Sequence, residues 1–370
     1  MDRITASATP ARVSSGSTSL VAGIHANTCY FRTAVAGDGR KALVQITERC
    51  NLHCAHCFVS STRHGSDMTI EQISGSVLPR LSDARVERVT FTGGEPFVHP
   101  DILAICTAAV EAGMAVGICT NATCVTDEQI DALVALERVH VNVSFDGFRA
   151  ESHGRFRGNP ASFDTTVATT RKLAAAGLLQ GLLSTPNRLT TPDDYTALAE
   201  FGAAVGAEYL LMNPLSAFGR GVRSRKRLAN DERAMHEVLG NAQQTAGSEL
   251  EVVPIRFPNT SGSPLAPCIA GDIIYIFTDG SVAACPYLVF AARTPQSRHD
   301  DSEFIVADVY ADDIAGPLEG FSMDGRRRVS EDPTCTTCAL ASDCGRGCPA
   351  AVIADGGLLG ERDVELCPVP

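Results

Sequence analysis

Long apolar runs are missing from this chain. No stretch of eighteen hydrophobic residues occurs, which excludes a membrane-spanning helix. No basic start leads into an apolar core, so nothing reads as a signal peptide. Positive charge is not in excess. The 31 Lys and Arg face 43 Asp and Glu, a formal net charge of −12, whereas a nucleic-acid partner would favour a basic face. These absences predict a cytoplasmic protein with neither membrane nor nucleic acid as partner.

What the chain does have is cysteine, fourteen in 370 residues. Without an export signal, clustered cysteines point to metal ligation rather than disulfides. Ten fall in two regions. Cys50, Cys54 and Cys57 form the first; Cys268, Cys285, Cys335, Cys338, Cys344, Cys348 and Cys367 form the second. Cys29, Cys106, Cys119 and Cys124 are read as small buried hydrophobes. With 44% hydrophobic and 20% charged residues the chain can bury a sizeable core, and its length suggests two domains. Residues 1–40, rich in Ser, Thr, Ala and Gly, are expected to be a disordered tail.

From Lys41 the chain alternates. Strand-like runs at 41–48, 86–92, 115–120, 139–145, 179–185 and 208–212 are separated by helical patterns. Thr69 to Gln72 and Thr126 to Gln129 read as capping boxes, and Thr191-Pro192 as a capped start with proline at the first helical position. Six βα units make an α/β fold, either an open doubly wound sheet or an incomplete barrel. In both, function gathers at the carboxyl ends of the strands, where Cys50, Gly93, Asn121 and Ser144 fall. Beyond about residue 250 the pattern changes. A hairpin is expected around Asp279-Gly280, followed by a cysteine-dense segment too poor in core residues to fold without metal.

Cys50-Asn51-Leu52-His53-Cys54-Ala55-His56-Cys57 offers three thiolates on a loop and no fourth nearby. Such a set can hold three irons of a cubane cluster and leave the last iron open to a small molecule, as in an open catalytic metal site. The motif, together with Gly93-Gly94-Glu95-Pro96, resembles the radical S-adenosylmethionine (SAM) superfamily. His56 stands where an aromatic ring is common in that family. The resemblance implies a partial (β/α)6 TIM-like barrel over residues 41–250, a [4Fe–4S] cluster on Cys50, Cys54 and Cys57, and SAM on the open iron. It assigns Gly93, Gly94 and Glu95 to the SAM amino group, through backbone carbonyls. Ser144, in Ser144-Phe145-Asp146-Gly147, is expected at the ribose, Arg157 at the carboxylate, and Asn121 against SAM. One-electron cleavage of SAM, fed by a reductant such as flavodoxin or ferredoxin, would give a 5′-deoxyadenosyl radical that takes hydrogen from a substrate C–H bond.

The second cysteine region resembles the SPASM domain, placed at residues 251–370, which carries two auxiliary iron–sulfur clusters. The resemblance assigns Cys335, Cys338, Cys344 and Cys367 to the distal cluster, and Cys268, Cys285 and Cys348 to the nearer one. No cysteine lies between Cys268 and Cys285, so the nearer cluster is left with an open iron, a smaller core, or a ligand such as Asp272. A zinc site on Cys335, Cys338, Cys344 and Cys348 is the alternative. Pro286 stands where sulfatase-maturating relatives carry a basic aspartate, so no general base is named.

For the substrate, the tail looks too short for a leader-binding module. Arg220, Arg223, Arg225, Lys226 and Arg227 make a basic patch suited to an anionic ligand. These features favour a small polar metabolite (a sugar, aminocyclitol or nucleoside acid) in natural-product biosynthesis. Maturation of a ribosomally made peptide is the alternative, and an iron–sulfur electron-transfer or scaffold protein the alternative of another class.

Overall fold

The computed structural model describes residues 25–29, 40–311, 313–326 and 333–369. Apart from residues 25–29 and 40, the expected disordered tail lies outside the described residues.

Strands β1 (Arg40–Thr47), β2 (Val86–Gly93), β3 (Ala115–Thr120), β4 (Val139–Ser144), β5 (Leu179–Ser184) and β6 (Tyr209–Met212) form the six expected units, with helical segments in every connection. β7 (Glu251–Pro254), β8 (Ile273–Ile276), β9 (Ser281–Ala283) and β10 (Ile305–Asp308) follow. All ten join one sheet in the order β10-β9-β8-β1-β2-β3-β4-β5-β6-β7. From β8 through to β7 every neighbouring pair is parallel. β8 and β9 are antiparallel, as the Asp-Gly turn requires. The sheet has two edges, so the barrel is not closed. It also runs across the boundary expected near residue 250 at both ends: β7 pairs with β6, and β8 pairs with β1.

Side chains alternate across each strand. One face carries Val44, Phe91, Ile118, Val141, Leu182 and Leu210, fully or almost fully buried under the helices in one core. The other carries Lys41, Thr90, Cys119, Asn142, Ser144 and Tyr209, which line a cavity. A packed (β/α)8 barrel fills its interior with branched apolar residues. This open sheet leaves room there for ligands.

Thr69, Thr126 and Thr191 each start a helix with a reciprocal capping box, returned by Gln72, Gln129 and Asp194. Asp194 does more than cap. Its buried carboxylate also accepts from Phe148 N–H (2.9 Å), Ser152 Oγ (2.7 Å) and both arms of Arg149 (3.0 and 2.7 Å). It therefore fixes the loop that follows β4, the loop leading to Arg157. Burial disfavours its charge, but the donated hydrogen bonds more than offset that and hold its carboxyl below the ordinary value. The stabilisation is therefore full above about pH 4 and is lost as acid titrates the native carboxylate. Because Arg149 is half exposed, Asp194→Ala is expected to cost only about 2–3 kcal/mol. The loss is read from the urea midpoint at pH 7, and the deficit should narrow below about pH 4.

Candidate active site

The register of β1 against β2 breaks between Gln45 and Thr47, where Thr47 pairs with Gly93. There β1 turns into the Cys50–Cys57 loop. The loop has no regular secondary structure, so its backbone groups must find partners elsewhere. Gly94 N–H donates to Thr47 O and Glu95 N–H to Arg49 O, both at 2.9 Å. His53 and Ala55 N–H donate to Arg157 O and Phe156 O (3.2 and 2.9 Å). Arg220 Nε donates to Cys54 O (2.7 Å), and another of its nitrogens to Ser61 O (2.6 Å). Arg220 N–H reaches Cys57 O (3.0 Å), and Ser224 Oγ reaches Ala55 O (2.7 Å).

Two glycines make this approach possible. A Cβ on Gly93, whose φ is +120°, would lie 2.2 Å from Thr47 O. One on Gly94 would lie 1.9 Å from Arg49 O. The close approach expected of these glycines is thus made first to the backbone of Thr47 and Arg49, which leads into the cysteine loop. Glu95 is likewise turned inward. Its Oε1 accepts from Thr120 Oγ1 (2.6 Å) and Phe97 N–H (3.2 Å), and its Oε2 from Asn121 N–H (2.7 Å). It ties the end of β2 to the end of β3. The side chain of Asn121 donates to Asn51 Oδ1 (2.9 Å) and so also supports the loop.

Cys50, Cys54 and Cys57 face a cavity of about 270 Å³, together with Gly93, Gly94, Glu95, Asn121, Ser144 and Arg157. Burial pushes the Cys50 thiol up to about 12 and that of Cys54 to about 11, Arg157 and Arg220 drawing Cys54 back down. Such thiols ionise only when positive charge arrives, which is what iron supplies. Buried polar atoms also wait there. Arg157 Nε and Asn213 Oδ1 have no hydrogen-bond partner among the described residues. The donor set fits a three-thiolate cluster with a polar organic ligand beside it.

Arg157 is not a lone cation. It pairs with buried Asp146 at 2.8 Å, which also lies 3.7 Å from His56 Nε2. Burial works against the Asp146 charge, yet Arg157, His56 and His153 hold its carboxyl below the ordinary value. Burial lowers His56 to about 4, so its ring is neutral at pH 7. That ring stacks on Phe156 at 4.7 Å and 5°, an aromatic role taken by a histidine.

Two of the five cations of the expected basic patch are engaged elsewhere. Arg220 clamps the loop, and Arg225 pairs with Asp355 and Glu365. These two arginines find partners on segments remote in sequence, which local spacing does not reveal. Sequence reasoning also missed Lys41, Asn142, Tyr209 and Asn213, which line the cavity. Inward register on a strand was the signal that could have found the first three.

The other cysteines separate into two cavities. Cys335, Cys338, Cys344 and Cys367 line one. Cys268, Cys285 and Cys348 line the other. Cys348 therefore does not join Cys335, Cys338 and Cys344 around one zinc ion. No three His, Cys, Asp or Glu among the described residues are placed to hold a single metal ion, whereas a cubane spreads its thiolates over separate irons. Asp272 is exposed and does not line the nearer cavity, so it is not the ligand that the missing cysteine left open. Its carbonyl accepts from Lys41 N–H instead (3.1 Å).

The sequence model of the Radical SAM superfamily matches residues 44–197, the part of the chain that carries the loop, the glycines, Ser144 and Arg157. That region is a Radical SAM domain, and the chain is an enzyme of radical SAM type. It is similar to the mycofactocin maturase MftC of Mycobacterium tuberculosis (strain ATCC 25618 / H37Rv), 28% identical over 336 residues, 87% of this chain and 81% of the relative. The antilisterial bacteriocin subtilosin biosynthesis protein AlbA of Bacillus subtilis (strain 168) is 30% identical over 182 residues, 49% of this chain and 40% of the relative. Streptococcus suis SuiB bound to S-adenosylmethionine shares the fold, with a TM-score of 0.63 at 16% identity over 88% of this chain and 77% of that one. Such a domain implies a [4Fe–4S] cluster and SAM. No helix among the described residues is long and apolar enough to cross a membrane.

Gly94→Ala is expected to remove about four irons per chain and to abolish 5′-deoxyadenosine formation, because the added Cβ meets backbone. Gly75→Ala, whose Cβ would meet nothing within 4 Å, should change neither. Iron analysis and product chromatography check both.

Proposed function

We propose that this radical SAM enzyme matures a ribosomally made peptide. In this reading Cys50, Cys54 and Cys57 would hold the [4Fe–4S] cluster, and residues at the ends of β2, β3 and β4 would hold SAM. The carrying observation is the convergence of three thiols, two glycines and unpartnered Arg157 Nε on one cavity. When bound, the cluster and SAM supply the one-electron cleavage that makes a hydrogen-abstracting radical.

The chain's own residues then have distinct tasks. Gly93–Glu95 present backbone to the SAM ammonium. Arg157, anchored by Asp146, offers Nε to the carboxylate. Ser144 serves the ribose, and Asn121 keeps the loop against the end of β3. Phe58 and Tyr287 line the cavity with rings 5.9 Å apart, and Phe290 packs on Phe58 from outside it at 5.2 Å, an apolar wall that would limit water there. Cys268, Cys285 and Cys348, with Cys335, Cys338, Cys344 and Cys367, would hold auxiliary clusters, which would supply an electron acceptor. A flavodoxin or ferredoxin delivers the first electron.

The small-metabolite expectation finds no support among the relatives. Two of them are named for maturation and for bacteriocin biosynthesis, and the peptide alternative fits them better. A second feature favours it. A groove of about 430 Å³, lined by Glu48, Ser60, Arg223, Asp279 and Arg293, shares Phe58 and Val59 with the cavity. Adjoining sites of mixed charge suit an extended chain better than one compact molecule.

Anaerobic incubation with SAM and dithionite should yield 5′-deoxyadenosine. Replacing Cys50, Cys54 and Cys57 by alanine should abolish it while leaving the auxiliary iron in place. Loss of nearly all iron in that variant would sink the two-site architecture. Short precursor peptides and a panel of deuterated sugars and nucleosides, offered to the holoenzyme, test the substrate. Deuterium reaching 5′-deoxyadenosine from a sugar or nucleoside, and from no peptide, would overturn the peptide reading.

A further inference from the structure

Residues 25–29 dock on the C-terminal region, more than 200 residues away in sequence. Ala26 bridges Leu265, donating to Pro264 O (2.9 Å) and accepting from Ala266 N–H (3.1 Å). Thr28 Oγ1 donates to Ala266 O (3.3 Å), and Asn27 Nδ2 to Pro254 O (3.1 Å). Arg256 N–H donates to Asn27 O (2.7 Å), and its guanidinium to Thr28 O (3.0 Å).

This docking delivers Cys29 to the nearer cysteine cavity. Its side chain is 4% exposed and lines that cavity with Cys268, Cys285 and Cys348. Its Sγ lies 3.3 Å from Pro267 O, and its thiol is within hydrogen-bonding reach of those of Cys268 and Cys348. The remaining lining is almost wholly apolar, including Ile269, Ile273, Leu288 and Pro349. A buried apolar chamber with four thiols is a ligand set, not a packing detail.

Arg256 sets the geometry from both sides. The guanidinium that holds Thr28 O also binds Asp363 (2.6 and 3.2 Å). Asp363 Oδ2 in turn accepts Cys348 N–H (3.2 Å). One buried arginine thus ties the residue before Cys29 to the amide of Cys348.

We propose that Cys29 is the fourth protein ligand of the nearer auxiliary cluster, completing the set of Cys268, Cys285 and Cys348. The inference rests on the reading of the C-terminal cysteines as cluster ligands. Ligation releases the Cys29 proton and closes the cluster's last iron to exogenous ligands. The nearer cluster then acts as an electron carrier, and substrate is not bound on its iron.

The test uses full-length chain in which Cys50, Cys54 and Cys57 are alanine, so that only auxiliary iron is seen. Into it go Cys29→Ser and, as control, Asp272→Ala. The parent and the control should carry about eight irons per chain as two cubanes by Mössbauer spectroscopy. Cys29→Ser should lose iron from one cluster, or show the signal of a three-iron core on oxidation, with the other cluster unchanged. Alkylation of the parent gives a second measurement that does not depend on a variant folding. Cys29 should be protected until iron is chelated. Unchanged iron, spectra and reduction potential in Cys29→Ser would overturn the Cys29 assignment alone. Absence of auxiliary iron from the parent, or stoichiometric zinc in its place, would overturn the auxiliary-cluster reading beneath it.

Discussion

A loop without regular structure must have its backbone polar groups paired by something else, and the Cys50–Cys57 segment shows what that demands. Its amides and carbonyls are taken up by Thr62, Phe156, Arg157, Arg220 and Ser224, and Gly94 and Glu95 N–H hold the carbonyls of Thr47 and Arg49 just before it. The partners come from the segments that follow β1, β2, β4 and β6. The result is that three thiols point the same way without a helix or strand to aim them. A chain that left these groups unpaired would lose about 1–3 kcal/mol for each, and the loop would have no single conformation in which to receive a cluster. The glycines at 93 and 94 belong to the same logic, since any side chain there would push the loop off the sheet.

Charge is arranged with similar economy. Asp146 and Arg157 are both buried and neutralise one another, so the cavity carries a guanidinium without carrying an isolated positive charge. His56 stays neutral because burial outweighs the pull of Asp146. It can then pack as a ring against Phe156. Negative charge from thiolates on a bound cluster would find Arg157 and Arg220 already in place, the two cations that draw Cys54 down.

Much of this was legible before any coordinates. The six strands, the capping boxes and the Asp-Gly hairpin are local signals, written within a few residues. Cys50, Gly93, Asn121 and Ser144 were visible as chemistry at strand ends. What stayed hidden depends on pairs far apart in the chain. Arg220 looked like one of a run of surface cations, and nothing near it in sequence says that it grips Cys54 O. Asp272 looked like a ligand because it sits between two cysteines, but its side chain turns to solvent. Cys29 looked like filler because its partners lie beyond residue 260. Asp146-Gly147 could pass for a turn; the aspartate is the counter-ion that lets Arg157 be buried.

The sheet order explains how the two ends of the chain come to cooperate. β8 pairs with β1, the strand that feeds the Cys50–Cys57 loop. The hairpin of β8 and β9 leads directly into Cys285 and the helix Pro286–Ala292. Tyr287, on that helix's first turn, lines both the Cys50 cavity and the Cys29–Cys348 cavity. Phe58 and Phe218 pack against its ring at 5.9 and 5.5 Å. One side chain, packed against an aromatic cluster, therefore stands between the two thiol-lined cavities. Close-packed interiors have low compressibility, so the parallel pairing of β8 with β1 fixes that separation more firmly than a linker between independent domains could.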